Sequence, residues 1–204
     1  MSMNLYRNEA LDVIARKVIA QYDPSLLHTP APIPVDTIIE KVYGLTLEFQ
    51  FIRKNGRVLG ETVFEDALIP IYDRNSGEGY KLVPVRAGTV IIDASLLNQR
   101  NDGRFRYTCA HELSHWVIDR NYFMQLGETA AMTEKALRSS EVNDAIERQA
   151  DRLACRILMP KGTLKSAYFD ICRKSSNVSA PLAEFFGVSR QAMEIRLNEL
   201  GLSS

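Results

Sequence analysis

The hydrophobic residues of this chain recur at helical spacing in its first part and over its second half, and at a spacing of two in between. Residues 9–22 carry apolar side chains three and four positions apart, which predicts an amphipathic helix that stops before Asp23-Pro24. After a proline-rich connector, residues 35–43 predict a short helix that ends at Gly44, where a left-handed cap is expected. The first part of the sequence therefore predicts two helices.

The pattern changes to alternation at residues 45–51, and residues 58–64, 67–72 and 89–93 are further strand candidates. Asn55-Gly56 predicts a hairpin turn, because this dipeptide readily adopts the positive backbone angles that tight hairpins need. We therefore expect a small, twisted sheet with antiparallel or mixed pairing.

After Asp93 the pattern is helical to the end of the sequence. Residues 104–119 and 141–159 are the strongest helical segments, and residues 120–140 between them predict a long loop or a partly helical excursion. Strands followed by helices are typical of an α+β fold. We therefore expect the sheet to pack on a helical core, with the helix at 104–119 beneath it.

Composition narrows the range of functions. With 204 residues, of which 46% are hydrophobic, the chain is sufficient for one domain with a substantial core. Lys plus Arg and Asp plus Glu both total 25, which excludes a global charge that attracts nucleic acid or anionic membrane. Three scattered cysteines are typical of a reducing compartment. Because we find neither a leader sequence nor an apolar run of the roughly 18 residues that a membrane span needs, we expect a cytoplasmic protein without a membrane partner.

The C-terminal segment 181–193 predicts a helix-turn-helix, with Gly187 in the turn and Ser189 as the cap of the second helix. DNA binding would require a basic surface that meets the phosphates. Residues 182–204 instead carry two arginines and three glutamates. We therefore favour helices that close the core, and that could dock a partner, over helices that bind DNA directly.

Candidate chemistry is concentrated in one segment, His111-Glu112-Leu113-Ser114-His115. On a helix His111 and His115 lie one turn apart on the same face, about 6 Å from each other, so their imidazoles can share a metal ion. Glu112 lies beside that face, which suits a base acting on water. Two histidines on an apolar helix can also be core residues. That interpretation is weakened because this segment holds two of the three histidines in the chain.

A catalytic zinc ion usually takes three protein ligands, and the helix predicted at 141–159 offers Glu147 as the third. Asp151 lies one turn further on the same face, where it can accept a hydrogen bond from the ring nitrogen that a ligating histidine does not use. Without the histidine motif, both carboxylates would be assigned to a solvated helix face. Cys155, one further turn along, and His28, beside the proline-rich connector, are alternative ligands.

Two blocks of the sequence resemble the ImmA/IrrE family of metallopeptidases. Residues 106–115, RYTCAHELSH, resemble the family's Arg-Phe-Thr-x-Ala-His-Glu-x-x-His segment. Residues 147–160, ERQADRLACRILMP, resemble its Glu-x-x-Ala-Asn/Asp helix, which ends in Leu-Met-Pro. Residues 34–45 resemble the family's opening helix, so the similarity extends from residue 32 to residue 201 with gaps. The departures are mild: Tyr, Cys and Ser stand where Phe, Leu and Gly are commoner.

The resemblance implies one zinc ion, with His111, His115 and Glu147 as its ligands, Glu112 as the catalytic base and Asp151 as the residue that orients a ligand, as in gluzincin peptidases. It also implies a zincin-type core and a protein substrate, namely a helix-turn-helix repressor whose cleavage relieves repression of a mobile-element or stress programme. The alternative class of function is a non-proteolytic transcription regulator or interaction module that retains the metal fold.

We expect three segments along the chain: an N-terminal helical extension at residues 1–30, a zincin-like domain at 31–175, and C-terminal helix-turn-helix-like helices at 176–204 that pack on the same domain. An extended substrate would pair with an exposed strand edge above the motif helix, and residues 89–93 are the candidate for that edge.

Overall fold

The computed structural model describes residues 5–74, 79–98, 102–126, 141–173 and 178–202. Within these ranges the α-helices are α1 (Asn8–Tyr22), α2 (Val35–Lys41), α3 (Asp102–Ile118), α4 (Arg120–Leu126), α5 (Glu141–Leu158), α6 (Lys161–Cys172), α7 (Ser179–Phe186) and α8 (Arg190–Glu199). The strands are β1 (Thr46–Gln50), β2 (Gly60–Val63), β3 (Ala67–Asp73), β4 (Gly79–Val85) and β5 (Thr89–Asp93). Two 3₁₀ helices lie at Pro24–Leu27 and Ala94–Asn98. This element order confirms the α+β fold.

The predicted helices are present with small shifts of their ends. The motif helix α3 begins at Asp102, two residues before the segment predicted at 104–119. Helix α5 ends at Leu158, one residue before the end of the segment predicted at 141–159. Gly44, with φ +64°, follows the first short helix in the left-handed conformation that was expected there. The first part of the predicted excursion forms α4, and residues 127–140 lie outside the described residues.

The main sheet has three strands in the order β1-β5-β2. β5 pairs in parallel with β1, with Thr46 opposite Thr89, and antiparallel with β2, with Thr62 opposite Val90. This confirms mixed pairing. β3 and β4 form a separate antiparallel hairpin.

The prediction of a hairpin at Asn55-Gly56 is wrong. Gly56 does turn the chain, with φ +61°, but β1 and β2 lie on opposite sides of β5 and do not pair with each other. The reason is visible in β5, whose five residues are all buried. A strand buried on both faces is stabilised by neighbours on both edges, and this requirement outweighs a local turn signal. The same finding overturns the expectation that residues 89–93 offer an exposed edge.

The strand β4 was not predicted. Its sequence contains Pro84, which lacks the N–H that a ladder needs and therefore argues against a central strand. In the two-stranded hairpin Pro84 lies opposite Leu68, and each strand has only one partner within this sheet. An edge position of this kind tolerates proline.

Two apolar clusters hold the elements together. The larger one receives buried side chains from α1, α2, α3, α5, α6, α7 and α8; members from across the chain are Leu11, Ile38, Leu113, Leu153, Leu164, Phe186 and Met193. The smaller one lies between the main sheet and the β3–β4 hairpin and contains Ile52, Val63, Ile69, Ile71, Val85 and Ile91. The division at residues 30 and 175 stays a prediction.

The motif helix α3 is held on several sides. It contacts β2 and β5 of the sheet, α5 and α2. Cys109, Ala110 and Leu113 are completely buried in the larger cluster. The sheet packs on one side of α3, and α2 and α5 pack on others. The polar side chains on its remaining face therefore lie along the cleft between β2 and α5.

The C-terminal helices have the predicted turn geometry. Gly187 ends α7 with φ +62°, and the Ser189 side chain caps α8 by accepting a hydrogen bond from the Ala192 N–H at 3.1 Å. Among the residues that the structure describes, we find no helix with the length and apolar character that crossing a membrane demands.

Candidate metal centre

The structure brings three of the predicted site residues together. His111 and His115 lie one turn apart on α3, and their Nε2 atoms are 3.0 Å apart. α5 places Glu147 opposite them, with its Oε2 at 3.2 Å from Nε2 of His111 and 3.7 Å from Nε2 of His115. The three potential ligand atoms therefore converge on one point. Neither Cys155 nor His28 belongs to this group as the described residues define it.

The donor set fits a zinc ion. Ligands at about 2.0–2.1 Å from a tetrahedral zinc ion lie about 3.3 Å from one another, and the three separations in the cluster bracket that value. Two imidazole nitrogens and one carboxylate oxygen, with room for water, are the ligand types of a catalytic zinc site. All three groups offer electron pairs, so without a cation or a proton between them they repel each other.

Each histidine has a carboxylate on its other ring nitrogen. Nδ1 of His111 is 2.9 Å from Oδ1 of Asp151, and the Tyr107 hydroxyl donates a hydrogen bond to the same oxygen at 2.7 Å. Nδ1 of His115 is 2.9 Å from Oδ2 of Asp119. These contacts favour the tautomer in which Nδ1 is protonated and Nε2 carries a lone pair.

Sequence reasoning placed Asp151 near the site but missed Asp119. Asp119 is four residues after His115, the spacing at which two side chains meet on one helix face, and this signal was available in the sequence. It is almost completely buried, which a carboxylate rarely is without a partner.

The carboxylates set the protonation of the two rings. Burial lowers the pKa of His111, but its contacts with Asp151 and Glu147 outweigh burial and raise the pKa to about 9. Burial likewise lowers the pKa of His115, and its contacts with Asp119 and Glu147 raise it to about 10. Burial alone would raise the pKa of Glu147, yet the two imidazoles hold it well below its usual range. The cluster therefore attracts positive charge.

Glu112 lies beside the cluster and is held by β2. It is 6% exposed, and its Oε2 accepts a hydrogen bond from the Thr62 hydroxyl at 2.7 Å. Gly60 leaves the room for this side chain, because a Cβ there would lie 2.7 Å from Cγ of Glu112. Neither contact was predicted, because the pairing that brings β2 to α3 is not encoded in the motif.

The fold and the site together define a class of protein. A helix with two histidines one turn apart and an intervening glutamate, a small sheet above it, and a carboxylate from a second helix form a metallopeptidase-like fold. The family described as the IrrE N-terminal-like domain, Peptidase_M78, matches residues 96–198. Since this is half of the chain, we conclude that the chain belongs to this family, which confirms the resemblance to ImmA/IrrE.

No functionally curated protein matches the chain. A solved structure described as a Mycobacterium tuberculosis transcriptional regulator is similar, with a TM-score of 0.52 and 13% sequence identity. The similarity covers 93% of this chain and 46% of that one, so the chain spans about half of that regulator's length.

Proposed function

We propose that this chain is a zinc-dependent endopeptidase that cuts a protein substrate. The observation that carries the proposal is the convergence of His111, His115 and Glu147, with Glu112 next to them on the same helix. Membership of a peptidase family supports it. The residues proposed for each role are those that the sequence predicted, with Asp119 added.

Three side chains would hold the zinc ion, His111 and His115 through Nε2 and Glu147 through its carboxylate. Zinc bound there would supply Lewis acidity, which polarises a carbonyl and makes water more acidic. Asp151 and Asp119 would orient the two rings, because each accepts a hydrogen bond from Nδ1.

Glu112 would handle the proton. In this role its carboxylate takes a proton from the attacking water and returns it to the amine that leaves. The hydrogen bond from Thr62 to Oε2 supports the assignment, because it fixes the orientation of a carboxylate that has little exposure to solvent.

An extended substrate would pair with β2. This strand lies at the edge of the main sheet, and Gly60 and Thr62 on it contact Glu112, so a peptide added there passes close to the cluster. We propose a helix-turn-helix repressor as the substrate. The support is the resemblance of both sequence blocks to ImmA/IrrE peptidases, and the name of the structural neighbour is consistent with a role in transcription.

A regulator that acts by binding instead of cutting is the second candidate, and the name of that neighbour favours it. The charges of the C-terminal helices do not support direct DNA binding. Arg196 is 1% exposed and contacts Asp12 and Glu199, while Arg190 is exposed but paired with Glu194 at 2.7 Å. Salt-dependent retention of the protein on DNA, unchanged by Glu112→Gln, would support this candidate.

The test is incubation of the zinc-loaded protein with helix-turn-helix repressors as candidate substrates, followed by gel electrophoresis and mass spectrometry. We expect cutting that a chelator stops and zinc restores. Glu112→Gln should keep one zinc per chain and lower the rate by about 10²–10⁴-fold, because the proton-transfer group is lost.

Glu184→Gln is the matched control, since Glu184 is exposed on α7 and distant in sequence from the motif. It should leave the rate unchanged. Zinc-dependent cutting that survives Glu112→Gln would refute the role of Glu112, and a chain that binds no zinc would refute the site.

A further inference from the structure

A pocket of about 260 Å³ lies beside the first part of α3. Its floor is the first part of α3, including Tyr107 and Thr108, and its walls include Leu59 before β2 and Cys155 on α5. Burial raises the pKa of the Cys155 thiol to about 11, so this wall is uncharged at neutral pH. Apart from Arg104, the residues that line the pocket are apolar or uncharged.

The pocket lies one helical turn away from the proposed metal ligands. Tyr107 precedes His111 by four residues on α3, and Cys155 follows Asp151 by four residues on α5. The Tyr107 hydroxyl binds Asp151, which in turn binds His111. Leu59 directly precedes Gly60, which packs against Glu112. On all three sides, then, the pocket walls are the continuation of the elements that form the cluster.

The C-terminal helix α8 lines the pocket through Ala192 and Ile195, and Val188 lines it from the turn before that helix. This wall is fixed to α3, because Nε of Arg106 donates a hydrogen bond to the Gly187 carbonyl at 3.2 Å. The contact leaves no space for a side chain at residue 187, since a Cβ there would lie 2.9 Å from that nitrogen. In a helix-turn-helix protein the first turn of the second helix meets DNA, whereas here Gln191 and Ala192 in that turn line the pocket.

We propose that this pocket receives a large apolar side chain of the substrate, one or two residues from the bond that is cut. The inference rests on the proposed function and gives the C-terminal helices a part in choosing the substrate. The pocket and the cluster are one turn of α3 apart, which is about 5.4 Å. An extended peptide advances about 3.3 Å per residue, so this separation corresponds to one or two residues of substrate.

The volume of the pocket limits the size of the side chain that can enter it. A cavity of about 150 Å³ accepts a benzene ring, whereas sites for drug-sized molecules measure about 300–1,000 Å³. The pocket lies between these values, which suits a single Leu, Ile, Met or Phe side chain. Because Leu59, directly before β2, lines the pocket, a peptide whose backbone lies along β2 can direct a side chain into it.

The first test measures binding without cutting. Zinc-loaded protein with Glu112→Gln is immobilised and exposed to a random peptide mixture, and the captured peptides are sequenced. We expect enrichment of Leu, Ile, Met and Phe at one position. Adding Ala192→Phe fills the pocket and should reduce that enrichment at least about tenfold, the lower range of pocket discrimination.

Ile195→Ala is the second variant, and it enlarges the pocket without adding volume to the core. It should shift the captured residues towards Phe and Trp. Val13→Ala is its control, because Val13 on α1 and Ile195 are both 51% exposed and only Ile195 lines the pocket. Peptides without any enrichment, or enrichment that both Ala192→Phe and Ile195→Ala leave unchanged, would overturn the proposal.

The second test separates this inference from the proposed function. The wild-type protein should cut a peptide with Leu at the enriched position about 10–200-fold faster, in kcat/KM, than its Ala counterpart, and Ala192→Phe should bring the ratio close to one. Cutting without this preference contradicts the pocket and leaves the peptidase intact. No cutting, together with enrichment that Ala192→Phe removes, contradicts the peptidase and leaves a peptide-binding pocket.

Discussion

Helix α5 contributes residues to two clusters of charged side chains. One cluster is suited to a bound cation, and the other is neutralised by its own side chains. The histidine cluster consists of His111 and His115 with Glu147, Asp151 and Asp119, and its converging atoms all offer electron pairs. The arginine cluster lies at the other end of α5 and pairs two guanidinium groups with two carboxylates. Its members are Asp12, Arg156, Arg196 and Glu199.

The difference lies in the balance of charge. In the arginine cluster, Arg196 is 3.1 Å from Asp12 and 2.9 Å from Glu199, and Arg156 is 3.3 Å and 3.5 Å from the same two groups. Two positive and two negative groups neutralise each other, so this cluster holds α1, α5 and α8 together. In the histidine cluster carboxylates outnumber the rings, so a cation is favoured there. The number of charged residues on α5 does not tell a metal site from a structural ion-pair cluster. The signs of the charges that face those residues from the neighbouring helices do.

The largest expected effect is a loss of stability in the arginine cluster. Arg196→Ala leaves Asp12 and Glu199 facing each other with one arginine, and we expect the free energy of unfolding to fall by about 3 kcal/mol, the lower end for breaking a buried pair. Urea unfolding measures it. Zinc content should not change.

Arg190→Ala is the control on the same helix. Its pair with Glu194 is exposed, so the expected loss is below about 1 kcal/mol. If Arg196→Ala removed zinc without changing stability, the contrast between the two clusters would be wrong.

A smaller effect is expected from the partners of the two histidines. Asp119→Asn and Asp151→Asn should each weaken zinc binding by about 10–100-fold, the usual range for groups that orient a ligand. The loss should be greater for Asp119, whose side chain is 2% exposed, than for Asp151, which is 49% exposed, because water screens the latter. Competition with a chromogenic chelator measures the affinities, and equal losses would show that burial does not matter here.

The smallest expected effect is the release of protons when zinc binds. Both histidines have a raised pKa, so the zinc-free protein holds protons on this cluster at pH 7, and zinc needs neutral rings. Zinc binding should therefore release about one proton or more, and the apparent affinity should increase as the pH is raised from 6 towards 9. Calorimetry in buffers with different ionisation enthalpies counts the protons. Binding that is independent of pH over this range would contradict the raised pKa values.

Much of this organisation was predictable from local patterns. The helices of the site were found because three- and four-residue periodicity lies within a short stretch of sequence, and Gly187 with Ser189 marked the C-terminal turn. Strand pairing was harder. The Asn55-Gly56 signal is local, while the pairing of β5 with both β1 and β2 depends on burying β5 on two faces.

The sequence by itself determined the types of donor and their spacing within each helix, because i to i+4 neighbours on a helix meet whatever the rest of the chain does. His111, Glu112 and His115 follow from that rule, and so does Asp119 in retrospect. Only the tertiary structure decided that Glu147 faces them and that β2 places Thr62 on Glu112, because these contacts join distant segments through the packing of the core. The pocket has the same origin, since α8 lines it and Arg106 helps to hold the turn before α8 against α3.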